Sequence, residues 1–373
     1  MVTGSPSAVS PSQRVRLSLR PIAIFLVSRL VVALGVLIAT IVVHRPWQRI
    51  LTSWDSHWYL SIARSGYVAK LPAGTGNAAQ SNLGFFPLLP LVIRTVHELT
   101  HLDYPTAGLL ASLVTGLCAS VVLWWLLRSR FPGSAADRGT CLVLFWPGAF
   151  ILSYVYTEGL VIALVAGALL ALHHRRWVLA GVCAGIATAA DPVASAVIVP
   201  CVIAAVSAIR ARREWASIIA PLLAPAGIVA FFSYLWVHTG TPLEWFHAQR
   251  KGWQSGYYGM GVPQAVGSFV VHGVSNWNPG VKVACALLVI ALVVAFVKAK
   301  PPSTWAGYVY AVLVFGIVSP IIGITPRLML RAFPLEGTVG AWLSRPWFGV
   351  AITLSALGMV ALTIMASTPH WTP

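Results

Sequence analysis

Residues 22–43 read IAIFLVSRLVVALGVLIATIVV, a run of 22 residues that holds one charge, Arg29, and no proline. About 20 apolar residues in an α-helix cross the hydrocarbon core of a bilayer. The run is therefore long enough to span, and it is too long for the apolar region of a signal peptide. No small-residue cleavage site follows it. It reads as an uncleaved first span behind a polar segment carrying Arg14, Arg16 and Arg20. Working outward, further apolar runs fall at 106–127, 139–156, 158–173, 177–190, 192–209, 215–237, 281–297, 304–324, 330–344 and 347–367. Composition agrees with that layout. Apolar residues make up 58% of the 373, and charged residues only 9%, against roughly 25% in a soluble domain. So few charges cannot keep a soluble surface wet. Five cysteines in 373 residues, neither dense nor even in number, exclude a disulfide scaffold. All five fall in predicted spans and read as small packing residues. The net charge of +16 arises from 25 basic against 9 acidic residues. It reflects missing acids rather than a dense basic face, so nucleic acid is not an expected partner.

The expectation is an all-α polytopic membrane protein of about eleven transmembrane helices. Residues 1–20 form a disordered cytoplasmic tail, and 21–373 form a single transmembrane domain. Two long outer loops, at about 44–105 and 238–280, are rich in Trp, Tyr and Gly. The basic residues set the orientation. With the amino terminus cytoplasmic, short inner loops hold Arg128, Arg130, Arg138, Arg175, Arg176, Arg210, Arg212, Arg213, Lys298, Lys300 and Arg345, beside the tail arginines. That is the bias cytoplasmic loops carry. Asp55, Glu98, Asp103, Glu158, Asp191 and Glu244 fall on or near the opposite face, and Glu336 sits within a predicted span. Chemistry that needs carboxylates is thus expected outside. Arginine outnumbers lysine and alanine is abundant, which suits a bacterium and its cytoplasmic membrane.

The first outer loop opens Trp54-Asp55-Ser56-His57-Trp58-Tyr59-Leu60-Ser61-Ile62-Ala63-Arg64-Ser65-Gly66-Tyr67. Asp55 is the first acid in the chain, set among aromatic rings just past a span. Burial beside apolar rings raises a carboxylate's basicity, as a general base needs if it is to take a proton from a sugar hydroxyl. Rings such as Trp58 and Tyr59 suit the face of a pyranose. The alternative is an interfacial aromatic belt with an incidental acid.

This stretch resembles the first-loop signature of the PIG-V family, membrane mannosyltransferases of the GT-C type. Phe85-Phe86-Pro87-Leu88-Leu89-Pro90-Leu91, Tyr156-Thr157-Glu158, Gly240-Thr241-Pro242-Leu243 through Gln249 and Trp253, and Arg327 to Pro334 are similar to later segments of that family, in the same order. The resemblance implies a GT-C-like fold, a polyprenyl-phosphate mannose donor and inversion at the sugar. It also implies an acceptor hydroxyl on an extracytoplasmic glycolipid or glycan. Two positions depart from the family pattern: Asp191-Pro192 stands for Arg-Pro, and Arg327-Leu328 for Arg-Tyr. Both are where donor phosphate or sugar would be met.

A phosphate leaving group needs its charge neutralised rather than a strong general acid, whereas a glycosidase uses two carboxylates. One base and a cationic cradle suffice. Asp55 is the expected catalytic base. Arg327 and Arg331 are the first cradle candidates, with Arg250, Lys251 and Arg64 behind them, because guanidinium forks match phosphate oxygens. His57, Trp58, Tyr59, Phe86, Glu158 and Gln249 complete the expected substrate-binding set. Glu158 reads equally as a carboxylate favoured by a helix N-terminus. Arg29 within the first span should face a polar cavity or snorkel. The sequence leaves the need for a divalent cation open, since a lone Asp is a thin cation site, and no cofactor is implied. Membrane lipid is an expected neighbour.

Two rivals remain. His97-Glu98-Leu99-Thr100-His101 matches the H-E-x-x-H pattern of zinc proteases, but a catalytic zinc wants a third protein ligand. Between Asp103 and Asp137 only Cys118, in a predicted span, offers a ligand atom. A non-catalytic subunit or transporter is the other; no internal repeat of the kind common in transporters is visible.

Overall fold

The computed structural model describes residues 11–253, 267, 277–318 and 324–368. Among the described residues every regular element is helical. Six helices are long and apolar enough to cross a membrane: Leu19–Val43, Tyr104–Arg128, Pro192–Arg212, Trp215–Thr239, Gly280–Lys298 and Arg345–Ala366. A seventh crossing forms if Gly133–Leu144 and Pro147–Ser153, bent by 77°, count as one. The chain is a multi-pass membrane protein.

Several other apolar runs of the sequence form shorter helices among the described residues. Glu158–His173 and Trp177–Ala187 hold 16 and 11 residues, while the expected span at 304–324 is helical over Ser303–Val318 and then runs outside the described residues. At 1.5 Å per residue the first two reach about 24 and 17 Å, short of a hydrocarbon core of about 30 Å. The expected span at 330–344 is two short helices, Pro326–Arg331 and Pro334–Trp342, broken where Pro334 denies a backbone N–H. Hydropathy reports removal from water. It does not tell lipid from protein, and Pro334–Trp342 is sheathed by protein: Leu335, Gly337, Val339 and Ala341 are all buried. At the amino terminus, residues 11–20 belong to the helix Pro11–Val43. Residues 1–10 and most of the second outer loop beyond Trp253 lie outside the described residues.

Small residues set the closest packing. A Cβ on Gly159 would come within 2.8 Å of Gly116 N, and one on Gly139 within 2.4 Å of Gly337 O. These positions let Glu158–His173 lie against Tyr104–Arg128, and Pro334–Trp342 against Gly133–Leu144, in the manner of membrane helices with small residues at their contacts. Arg29 answers the bend before Pro147. Its guanidinium donates to Ala149 O and Ser153 Oγ at 2.9 Å and to Leu144 O at 3.3 Å. A membrane-depth charge thereby satisfies carbonyls that the broken helix leaves open.

Candidate active site

Three carboxylates and two guanidinium groups meet at one end of the bundle. Each acid stands at the start of a helix. Asp55 precedes Ser56–Ser65, Glu158 opens Glu158–His173, and Asp191 precedes the 3-10 turn Pro192–Val197, where it accepts from Val193 N at 2.8 Å. Helix N-termini favour negative charge. The arginines come from one short helix. Thr325 caps it by accepting from Leu328 N at 3.2 Å, Pro326 fills its first turn, and Arg327 and Arg331 follow four residues apart on one face.

The chain of contacts is continuous. Arg327 donates from Nη1 to Asp55 Oδ2 at 2.7 Å and from Nε to Glu158 Oε1 at 2.6 Å. Arg331 donates from Nη2 to the same Glu158 oxygen at 2.8 Å, and from Nη1 and Nη2 to the two oxygens of Asp191 at 2.9 and 2.8 Å. Three negative and two positive groups leave a net charge of −1. Burial works against the Arg327 charge, but Glu158 and then Asp55 outweigh it and hold its pKa well above the usual guanidinium value. The Tyr156 ring lies 4.5 Å beneath the Arg327 guanidinium. Burial, with Asp55 nearby, pushes the Tyr156 phenol well above its ordinary pKa. It stays protonated and its oxygen accepts from Asp55 N at 3.1 Å.

Local backbone aims Asp55. Trp54 adopts a left-handed conformation, φ 58°, which costs a bulky residue about 1–3 kcal/mol. Its indole donates to Ala366 O at 2.7 Å, so the end of the last span holds the turn. The arginine helix is held as firmly. Trp146 Nε1 donates to Pro326 O at 2.9 Å, and Gly148 lies so close that a Cβ there would sit 2.1 Å from the same oxygen.

A family model now meets this geometry. That of glycosyltransferase family 87 matches residues 84–320, well over half the chain. The chain belongs to glycosyltransferase family 87. The matched segment holds Glu158 and Asp191, while Asp55, Arg327 and Arg331 flank it. The fold is similar to that of ArnT from Cupriavidus metallidurans bound to undecaprenyl phosphate, with a TM-score of 0.52 and 18% identity over 86% of this chain and 62% of that one. The apo state of the same protein matches with a TM-score of 0.50 and 18% identity, over 79% of this chain and 55% of that one. This chain therefore spans less than two thirds of the length of that structure, and at such identity the likeness is one of fold, GT-C-like. No curated protein matches the sequence.

The structure sorts the residues singled out from sequence. Asp55, Glu158, Arg327 and Arg331 come together. Arg331, expected in a phosphate cradle, is instead locked between Glu158 and Asp191 with its side chain only 5% exposed. Tyr59 is buried edge-on to Phe85 and near Tyr156, with centroids 5.2 and 6.4 Å apart. Trp58 stacks on Phe85 and meets Trp253 edge-on, while His57 stays exposed beside Trp58. Phe86 departs from expectation. It is buried against Phe231, 4.6 Å between centroids, in a separate apolar cluster with Leu83 and Leu235. Gln249 donates to Gly84 O at 2.9 Å, tying the second outer loop to the first. Arg64 lies over the Tyr104 ring, away from the acids. Arg250 and Lys251 are exposed on Glu244–Trp253.

The sequence places Asp191 near the outer face and as a departure from the family pattern, but not as the partner of Arg331. The signal was there, since a carboxylate between two apolar runs must find a cation when buried. The zinc-protease pattern does not assemble. His97 Nδ1 is engaged with Leu102 O at 2.6 Å, and His101 ends the helix in a left-handed cap, φ 58°. Among the described residues no group of three or more His, Cys, Asp or Glu is placed to hold a metal.

Proposed function

We propose that this family 87 transferase moves mannose from a polyprenyl-phosphate donor to a hydroxyl of a glycolipid or glycan acceptor, with Asp55 as the base. One observation carries the assignment of the base. Of the three clustered carboxylates, the Asp55 side chain is 27% exposed, whereas Glu158 and Asp191 are 0% and 8% exposed. Only Asp55 can meet an incoming hydroxyl. In the proposed step the acceptor oxygen attacks the anomeric carbon as Asp55 takes its proton. The bond from that carbon to the phosphate oxygen breaks, and the lipid phosphate leaves with the electron pair. Arg327 is the group that would meet the phosphate: its Nη2 is not committed to any described acceptor, while Nε and Nη1 hold it in place. Glu158 and Asp191 act through the arginines as positioning residues.

The lipid carrier is supported by the fold shared with a protein solved with undecaprenyl phosphate, and mannose by the first-loop motif around Asp55. The opposed ends of the first span support an extracytoplasmic site. Arg20 pairs with Asp137 at its start, on the face expected to be cytoplasmic, and Asp55 follows its far end. A bacterial cytoplasmic membrane and a single unit over 21–373 complete the reading.

The test is transfer by purified, reconstituted chain from a labelled lipid-phosphate mannose. Asp55→Asn is expected to lose about 10²–10⁴-fold in rate while keeping its thermal unfolding profile. A folded Asp55→Asn with full activity would remove Asp55 from the chemistry. Equal transfer from a lipid-phosphate donor bearing another hexose would remove the mannose specificity alone.

A further inference from the structure

At the end of the bundle away from Asp55, the helices Tyr104–Arg128 and Glu158–His173 stop side by side. They leave a cavity of about 260 Å³ lined by Trp125, Arg128, Ser129, Leu170, His173 and His174. Around it, the polar groups are satisfied from within. Two carboxylates stand at this end, and each is shared between an arginine and an indole. Asp137 accepts from Arg20 at 2.8 Å and from Trp124 Nε1 at 2.7 Å. Glu214 accepts from Arg175 Nε at 3.0 Å and from Trp177 Nε1 at 3.1 Å.

The helix-end carbonyls are also taken. Backbone N–H groups of Ser129, Arg130 and Phe131 reach the oxygens of Trp125, Leu126 and Leu127, and Ser129 Oγ donates to Leu126 O at 2.6 Å. Those of His174, Arg175 and Arg176 reach Leu170, Leu172 and Ala171. Among the described residues Arg128 bonds none of these carbonyls, the usual occupation of an arginine in a last helical turn.

Arg128 is left over. Its guanidinium lies 5.6 Å from the Trp124 ring centroid, and its Nε is buried with no acceptor. Beside it, the imidazoles of His173 and His174 stand 5.0 Å apart. A guanidinium fork without an acceptor, next to two rings that can donate, has the chemistry for a phosphate oxyanion. The cavity holds roughly eight water-sized volumes, room enough for a phosphodiester. Its depth selects the source. It opens at the ends of membrane helices beside Trp125, 38% exposed, at the level where interfacial tryptophans and lipid headgroups sit.

We propose that this cavity binds the phosphate of an anionic membrane phospholipid. The site is separate from the carboxylate–arginine cluster by the length of the 16-residue helix Glu158–His173, which opens in the cluster and ends at the cavity, about 24 Å at 1.5 Å per residue. It does not depend on the mechanism proposed above.

The test uses the full chain in discs of phosphatidylcholine mixed in equal parts with phosphatidylglycerol. Lipids that stay bound are counted by native mass spectrometry. The wild type is expected to retain phosphatidylglycerol preferentially. Arg128→Gln should lower that preference by about tenfold or more, the effect of a lost charged hydrogen bond. Arg130→Gln, which removes an exposed guanidinium stacked on Phe131, should leave it unchanged. Unfolding in phosphatidylcholine alone establishes that each variant is folded. Should Arg128→Gln fail to fold, Arg128→Lys, which keeps the charge without the fork, is expected to weaken the preference partway. Wild-type preference in a folded Arg128 variant overturns the proposal. So does displacement of the lipid by inorganic phosphate, which would make the site one for free phosphate.

Discussion

Arg331→Met tests whether the carboxylate–arginine cluster holds the structure together as its geometry says. Methionine keeps most of the side-chain length and removes the fork. Glu158 Oε1 then loses one of two donors, and Asp191 loses the guanidinium that meets both its oxygens. The cluster goes from a net charge of −1 to −2 in a region where Glu158 is fully buried. Removing one partner of a buried ion pair costs about 3–5 kcal/mol, because the other charge stays behind without compensation. Here two charges are left, so the upper half of that range is expected. A folded domain holds only about 5–15 kcal/mol in total, so the variant should sit close to the edge of folding.

The second step separates this account from a simple packing defect. Asp191→Asn in the Arg331→Met background removes one orphaned charge. The double variant should be more stable than the sum of the single effects, with a coupling of about 0.5–3 kcal/mol. The measurement is the unfolding free energy in mixed micelles for the wild type, both single variants and the double variant. Strict additivity, or a loss below about 0.5 kcal/mol for Arg331→Met, would refute the reasoning and leave the ion pairs without structural weight.

Two further outcomes follow from contacts already described. Gly148→Ala should abolish transfer, because its Cβ would stand 2.1 Å from Pro326 O and 2.9 Å from Arg327 N; Gly349→Ala, with nothing within 4 Å, should leave activity and stability at wild-type level in the same assays. His97→Ala should keep transfer activity and cost about 1 kcal/mol, the worth of one hydrogen bond, and collapse of activity would return the histidine pair to consideration.

The class of the protein was legible in its charge-poor composition, and Asp55 stood out as the first acid after an apolar run. The sequence could not carry the number of crossings. Pro334–Trp342 is as apolar as a span, yet its apolar side chains are spent on protein rather than lipid. Nor could it carry the pairing of Asp191 with Arg331, 140 positions apart. The rule that a buried acid needs a cation says that a partner exists, not which of several late arginines provides it. Phe86 shows the same limit. Motif position placed it beside the substrate, while packing put it in a cluster with Phe231. The bent segment was legible only in part: Pro147 marks a break, but that Arg29 would serve its carbonyls depends on helices distant in sequence meeting.

On the proposed mechanism, charge balance says where the phosphate must find the rest of its support. The cluster already carries −1, so a singly charged phosphodiester donor arriving at Arg327 would bring it to −2. Arg331 cannot turn toward the donor without abandoning Glu158 and Asp191. The compensating charge must therefore come from outside the cluster. Glu244–Trp253 lies over the first loop, pinned to Gly84 O by Trp245 Nε1 at 3.1 Å and Gln249 Nε2 at 2.9 Å, and its Trp253 meets Trp58, three residues from Asp55. That helix carries Arg250 and Lys251, both exposed and without an acidic partner among the described residues. Two long cationic side chains on a helix held beside the mouth of the site can supply what Arg331 cannot. On the proposed mechanism the arginine cluster would set the geometry of the base, and the second loop would neutralise the donor.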